Sequence, residues 1–253
     1  MNNCLTKLSD IISVLCLLFL LNSCDVYKSE ICPAYVIRYV GVDSLTLRAD
    51  QYVPENCIWL TGHVWPIRDY RLHSNGKDKE KYDQLCNKHN DVKYNTRRQF
   101  LNGTFDESSA PYSEYDFEEI TVTSDMDFDD AHPAGSNLAD IVRFMSKSPY
   151  KYIQSNYSSF YRYDESSLSE AFVDKMINVY CGSWKNDPQN PNYPIDKLVK
   201  DLTAEDLILL PYSFGMLHFE KAPDTVPEHT VTVSMKTDSG IEFTNSIKMT
   251  FSL

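Results

Sequence analysis

Carboxylates stand at alternate positions in Asp125-Met126-Asp127-Phe128-Asp129-Asp130, the spacing with which an EF-hand loop opens, and such oxygen-rich clusters suit calcium. The rest of that loop is missing. Asp130 fills the sixth position, where the turn needs glycine, and Ser136 fills the twelfth, where a bidentate glutamate should stand. The EF-hand is therefore rejected. A looser site stays open, because Asp125, Asp127 and Asp129 on one face of a strand would repel one another unless a cation bridged them. A solvated strand end accounts for the same pattern.

Sulfur and nitrogen donors occur in Cys86-Asn87-Lys88-His89, with Cys57, His63 and His73 near in sequence, but their spacings match no zinc pattern. Cys181-Gly182-Ser183-Trp184 puts Ser183 where a papain-type signature needs the reactive cysteine. The chain has no Gly-x-Ser-x-Gly elbow, no His-Glu-x-x-His and no phosphate-binding glycine loop, and Ser148-Pro149-Tyr150-Lys151 lacks the companion motifs of penicillin-binding enzymes. No catalytic residue, metal ligand or cofactor is assigned. Hydrolysis by a carboxylate pair stays as the alternative, since only separation in space would reveal one. Tyr150, Tyr152, Tyr157, Phe160, Tyr161 and Tyr163 crowd one polar segment, as the rings of a sugar-stacking surface do, although core packing explains them more simply.

The strongest motif lies at the start. Lys7 precedes an apolar run from Ile11 to Leu21, which is too short for the roughly 20 residues that cross a bilayer and so reads as a secretory leader. Leu21-Asn22-Ser23-Cys24 resembles the lipobox of bacterial lipoproteins, and that resemblance implies cleavage before Cys24 and diacylglycerol on its sulfur. Cys16 follows bulky Leu15 and is a poor rival for the cut. Cys32, Cys57, Cys86 and Cys181 form an even set in a compartment that permits disulfides, and spacing does not choose among their pairings.

The leader contains one Lys and one Asp, so its removal leaves the formal charge of −12 unchanged. Nucleic acid is excluded as a partner, because phosphate binding needs clustered Lys and Arg; the same acidity disfavours docking on anionic lipid, and it serves solubility. About 230 residues then remain for one sizeable core.

Residues 24–33 form a polar tether. Tyr35–Val40, Leu45–Leu47, Ile58–Leu60 and Val64–Trp65 read as short strands. From His73 to Arg98 runs the only locally basic stretch, a solvated insertion with a helix near 79–88. Glu118–Asp129 alternates with Ile120, Val122, Met126 and Phe128 on one face, which predicts a half-buried strand. Helices are expected around 137–146 (Leu138, Ile141, Val142, Met145), 168–181 (capping box Ser167-x-x-Glu170) and 195–202 (Ile195, Leu198, Val199, Leu202). The chain closes on a hairpin turning at Asp238-Ser239-Gly240.

Strands at both ends around a partly helical centre predict a mainly β fold, an immunoglobulin-like antiparallel sandwich over 34–253, with an α+β single domain as the alternative. The lipobox leader, the segment Ile120–Phe128 followed by Pro133-Ala134-Gly135, and the closing hairpin together look like uncharacterised Bacteroidota lipoproteins. That resemblance implies an outer-membrane lipoprotein facing periplasm or cell surface. The expected function is a non-catalytic ectodomain that binds glycan, peptide or an envelope partner, the alternative being an envelope hydrolase acting on glycan or peptide.

Overall fold

The computed structural model describes residues 27–101, 111–178 and 190–252. In chain order the elements are β1 (Tyr27–Cys32), β2 (Arg38–Val40), β3 (Ser44–Arg48), β4 (Cys57–His63), β5 (Asp69–Arg71), α1 (Gly76–Lys88), β6 (Thr96–Leu101) and β7 (Tyr112–Ser113). They continue with β8 (Phe117–Ser124), β9 (Val142–Ser148), α2 (Tyr150–Gln154), β10 (Tyr193–Leu198), β11 (Gly215–Phe219), β12 (Glu228–Thr237) and β13 (Glu242–Thr250). The fold is mainly β, built from several antiparallel sheets that do not close into a barrel.

The chain divides into two compact units. In the smaller, residues 1–32 with 96–109, β1 and β6 form a two-stranded antiparallel ribbon. Residues 27–32 of the expected tether are thus a strand, and 96–101, expected inside the single domain, pair with it.

The larger unit, Pro33–Asn95 with Ala110–Leu253, contains a five-stranded sheet in the order β10-β9-β11-β4-β3 and a three-stranded sheet in the order β13-β12-β8. Their facing sides make one core. Leu45, Ile58, Leu60, Val142, Phe144, Leu217 and Phe219 from the first sheet meet Ile120, Val122, Val231, Val233, Met235, Phe243 and Met249 from the second. Each such side chain contributes roughly 1.5–3 kcal/mol by leaving water, so this layer dominates stability. At one margin the Asn245 side-chain amide donates to the Leu45 carbonyl, 2.8 Å, and joins the two sheets.

A second apolar cluster covers the outer face of the five-stranded sheet, where Cys57, Met145 and Met216 meet Phe172, Met176 and Ile177 of a π-helical turn, Phe172–Ile177. This layer explains one correction, and the edge of the sheet another. Residues expected as a helix around 137–146 form a turn followed by β9, whose Val142 and Phe144 face one core while Met145 faces the other. A strand buried on both sides loses its alternation and cannot be told from a buried helix by periodicity. The segment around 195–202 is likewise not a helix. It is β10, an edge strand that tolerates Pro194, followed by a 3-10 turn at Val199–Asp201.

The helix expected over 168–181 is present through Asn178, its remainder lying outside the described residues. Its cap is Ser169, whose hydroxyl accepts the Phe172 N–H at 3.1 Å, while Ser167 belongs to a preceding 3-10 turn. The third sheet of this unit, order β5-β2-β7, lies with α1, and Tyr39 and Tyr82 meet there edge-on. The closing hairpin forms as read, with Gly240 at φ +83°, left-handed backbone that favours glycine.

Candidate functional site

Between β4 and β5 the chain makes the loop Val64–Arg68. β4 is a single strand through Gly62 to His63, and Val64–Trp65 is not the separate strand expected. Val64 is buried and anchors the loop, while Trp65 and Ile67 beyond it are 79% and 66% exposed. Large apolar side chains in water carry no stabilising burial, so a loop that presents two of them needs another source of order.

That order comes from Arg68. Its guanidinium donates to Asp43 at 2.6 Å, to Glu114 at 3.1 Å and to the Val42 carbonyl at 3.3 Å. The Arg68 carbonyl accepts the Gly41 N–H at 2.9 Å, and Asp43 also accepts the Trp65 N–H at 3.3 Å. Glu114 is buried and accepts the Val42 N–H at 3.3 Å, with Lys81 at 3.7 Å from its other oxygen. Gly41 is required by proximity: a Cβ there would stand 2.6 Å from Nε and 2.9 Å from Cβ of Arg68. Against the desolvation of its site, the two carboxylates hold the guanidinium still more firmly charged, and Arg68 in turn keeps Asp43 below the usual carboxylate range. The arrangement is a braced loop with an apolar tip, and it can insert two side chains into a partner without first being ordered. Tyr52 is also exposed, but lies on the β3–β4 turn at the other end of that strand pair.

Two nucleophile–imidazole pairs escaped sequence reasoning, because each forms across paired or adjacent strands far apart in the chain. Cys57 and His218 are register partners with Sγ to Nδ1 at 3.6 Å. Burial pushes the thiol up to about 12, partly offset by Lys175, and burial with Lys175 pushes the imidazole down. Both are therefore neutral near pH 7, opposite to the thiolate–imidazolium state that attacks a carbonyl. An open depression of about 540 Å³ lies beside His218, lined by Arg143, Ser169, Lys175 and Glu220, and Cys57 is buried outside that lining. Arg143 is engaged there by Asp196 at 3.1 Å and Glu220 at 2.7 Å.

Ser124 donates to His229 Nδ1 at 2.6 Å, and His229 Nε2 donates to the Val226 carbonyl at 2.8 Å. Both residues are buried, with Phe128 and Phe251 against the ring, so the pair latches β8 to β12 out of reach of any substrate.

The aspartates read as a calcium candidate separate. β8 ends at Ser124, and Met126, expected inside on the same face as Phe128, is exposed while Phe128 is buried. Asp125 accepts the Thr230 N–H at 2.7 Å, and Asp127 accepts the Ala134 N–H at 2.8 Å. Asp129 holds His132 Nδ1 at 2.8 Å and pairs with Lys221. Each carboxylate finds its own donor, and among the described residues no three His, Cys, Asp or Glu side chains are grouped to hold a metal ion. Cys57 lies on β4 and Cys86 in α1; both, with Cys32, are buried free thiols, and Cys181 lies outside the described residues.

Of the tyrosine segment, Tyr152 is buried, while Tyr150, Tyr157, Phe160, Tyr161 and Tyr163 are half-buried. Tyr152 meets Tyr35 at 74° and Tyr157 at 70°, Tyr94 meets Tyr157 at 64°, and Tyr157 donates its hydroxyl to buried Asp91 at 2.9 Å. Rings locked edge to face offer no flat platform for a sugar. Cys24 and the leader lie outside the described residues, and none of the helices described is long and apolar enough to cross a membrane. No protein-family model matches this chain, and neither a curated protein nor a solved structure matches it.

Proposed function

We propose that this chain is a lipid-anchored lipoprotein of the bacterial outer membrane, held through Cys24, whose folded body is a non-catalytic module that binds a protein partner of the envelope through Trp65 and Ile67. The observation that carries the binding reading is the braced loop, which spends a buried carboxylate and a bridging arginine on holding two large apolar side chains in water. A tryptophan beside an aliphatic residue fits an apolar pocket on a protein, the usual anchor of an interface. A glycan would instead require flat rings ringed by hydrogen-bonding groups, whereas Tyr152 and Tyr157 turn edge to face rather than side by side. The hydrolase reading gains nothing from either nucleophile–imidazole pair, since both nucleophiles are buried.

A photo-crosslinking amino acid at position 67 in living cells tests the loop. Discrete adducts to one envelope protein, lost with Trp65→Ala although the variant folds as stably as its parent, are expected. No adduct, or adducts unchanged by Trp65→Ala, would sink the protein-binding reading, and adducts to glycan would replace it. Mass spectrometry of mature Cys24 tests the anchor independently, and protease treatment of intact against lysed cells separates cell-surface from periplasmic display.

A further inference from the structure

The basic stretch from His73 to Arg98 runs into β6, and β6 pairs with β1, the first strand after Cys24 among the described residues. We infer that this two-stranded ribbon is a membrane-surface contact that recognises anionic phospholipid. The inference rests on lipidation of Cys24.

Distance comes first. Tyr27 is three residue steps from Cys24, and a chain spans at most about 3.6 Å per step, so β1 begins within roughly 11 Å of the acylated residue. Ile31, with its partner Arg97, stands toward the other end of the ribbon, seven residue steps from Cys24 and so within about 25 Å of it, and a ribbon lying along the surface keeps both at the headgroups.

Charge comes second. The paired residues contain Lys28, Arg97 and Arg98 against Glu30 alone, a local cationic excess in a chain whose formal charge is −12. Ile31 stands directly across from Arg97, and both are exposed, Ile31 by 59%. Arg97 Nη1 donates to the Ser29 hydroxyl at 3.2 Å, and the two residues share that face. An aliphatic side chain beside a guanidinium matches the headgroup boundary, where the first enters the acyl margin and the second binds phosphate. Glu30 lies opposite Arg98 in the register, so part of the cationic charge is offset locally.

Each cation at an anionic surface multiplies partitioning by roughly five, falling off within a Debye length. The experiment uses the mature chain carrying Cys24→Ser, so that acyl chains do not mask the weaker term, with sedimentation against phosphatidylcholine vesicles containing or lacking phosphatidylglycerol. Binding at least fivefold stronger to the anionic vesicles is expected, reduced on the order of tenfold by Arg97→Ser with Arg98→Ser, and abolished by high salt. Equal binding to both vesicles, or loss of the two arginines without effect, would overturn the inference. A charge-preserving pair, Arg97→Lys with Arg98→Lys, must retain binding, which separates charge from folding of the ribbon. Mass spectrometry of Cys24 in the native protein decides the lipoprotein reading separately, whichever way the vesicles behave.

Discussion

At the scale of single residues, the buried carboxylate of Asp116 is held by cationic neighbours. Asp116 accepts from His89 Nε2 at 2.9 Å, pairs with Lys88 at 2.7 Å and receives the Leu209 N–H at 3.2 Å. Burial alone would raise its pKa, but His89 and Lys88 outweigh burial and bring it to about 2. Asp116→Asn should therefore cost about 3 kcal/mol or more, since it strands partners in a low-dielectric site, and urea melts of the two chains measure the difference. His132 shows the opposite sign. Burial disfavours its charged form, yet Asp140 at 2.8 Å and Asp129 overcome this and raise its pKa, while Lys221 and His132 hold Asp129 low against its own desolvation. Depressed Asp129 contributes stability that is present above its unfolded value of about 3.9 and lost as pH falls through the folded one. Raised His132 contributes stability that is complete below about 6.5 and lost as pH rises through its folded pKa. The clamp is strongest between those limits, so Tm should fall on the alkaline side of about pH 6.5, and His132→Asn should flatten that limb. Parallel curves for the two chains would show that the clamp is electrostatically idle.

At the scale of elements, the support of the Trp65 loop makes a sharper claim than the loop itself. Gly41→Ala puts a methyl group where the Arg68 side chain lies, and the clash falls partly on Cβ, which cannot swing away. The variant should lose about 1–3 kcal/mol and, because Arg68 also holds Asp43, should change the fluorescence of Trp65 at temperatures well below its melt. Unchanged stability together with an unchanged spectrum would mean that the brace does not order the loop. Elements with one wet face were legible in the sequence: β12 alternates Val231, Val233 and Met235 inward, and the glycine at 240 marks its turn. β9 was not legible, because the π-helical turn covering its second face is itself known only from the fold. The brace was hidden for the same kind of reason. Asp43, Arg68 and Glu114 reach one another across three segments, so Trp65-Pro66 in sequence shows only where a strand must stop.

At the scale of the whole molecule, the larger unit stacks two apolar layers on the five-stranded sheet, one against the second sheet and one against the π-helical turn. Cys57 sits in the outer layer, and Cys86 sits in α1 beside the third sheet, both buried and free. Burial raises each thiol to about 12, so neither reacts as a thiolate until its surroundings open. Their reaction with a maleimide, followed site by site in the mass spectrometer as urea is raised, therefore reports how the unit comes apart. A continuous sheet, whose strands bury side chains into both layers, should transmit the loss of either layer to the other. The segment after β2 is joined to β4 by the Asp43 N–H bonding the His63 carbonyl at 2.7 Å, which ties the small sheet and α1 to the same sheet, so Cys57 and Cys86 are expected to become reactive together, with the midpoint of the global transition. Labelling of Cys86 at markedly lower urea would instead mean that α1 and its small sheet open while the sandwich remains folded. The braced loop would then belong to the weaker part, since Gly41, Arg68 and Glu114 flank strands of that small sheet.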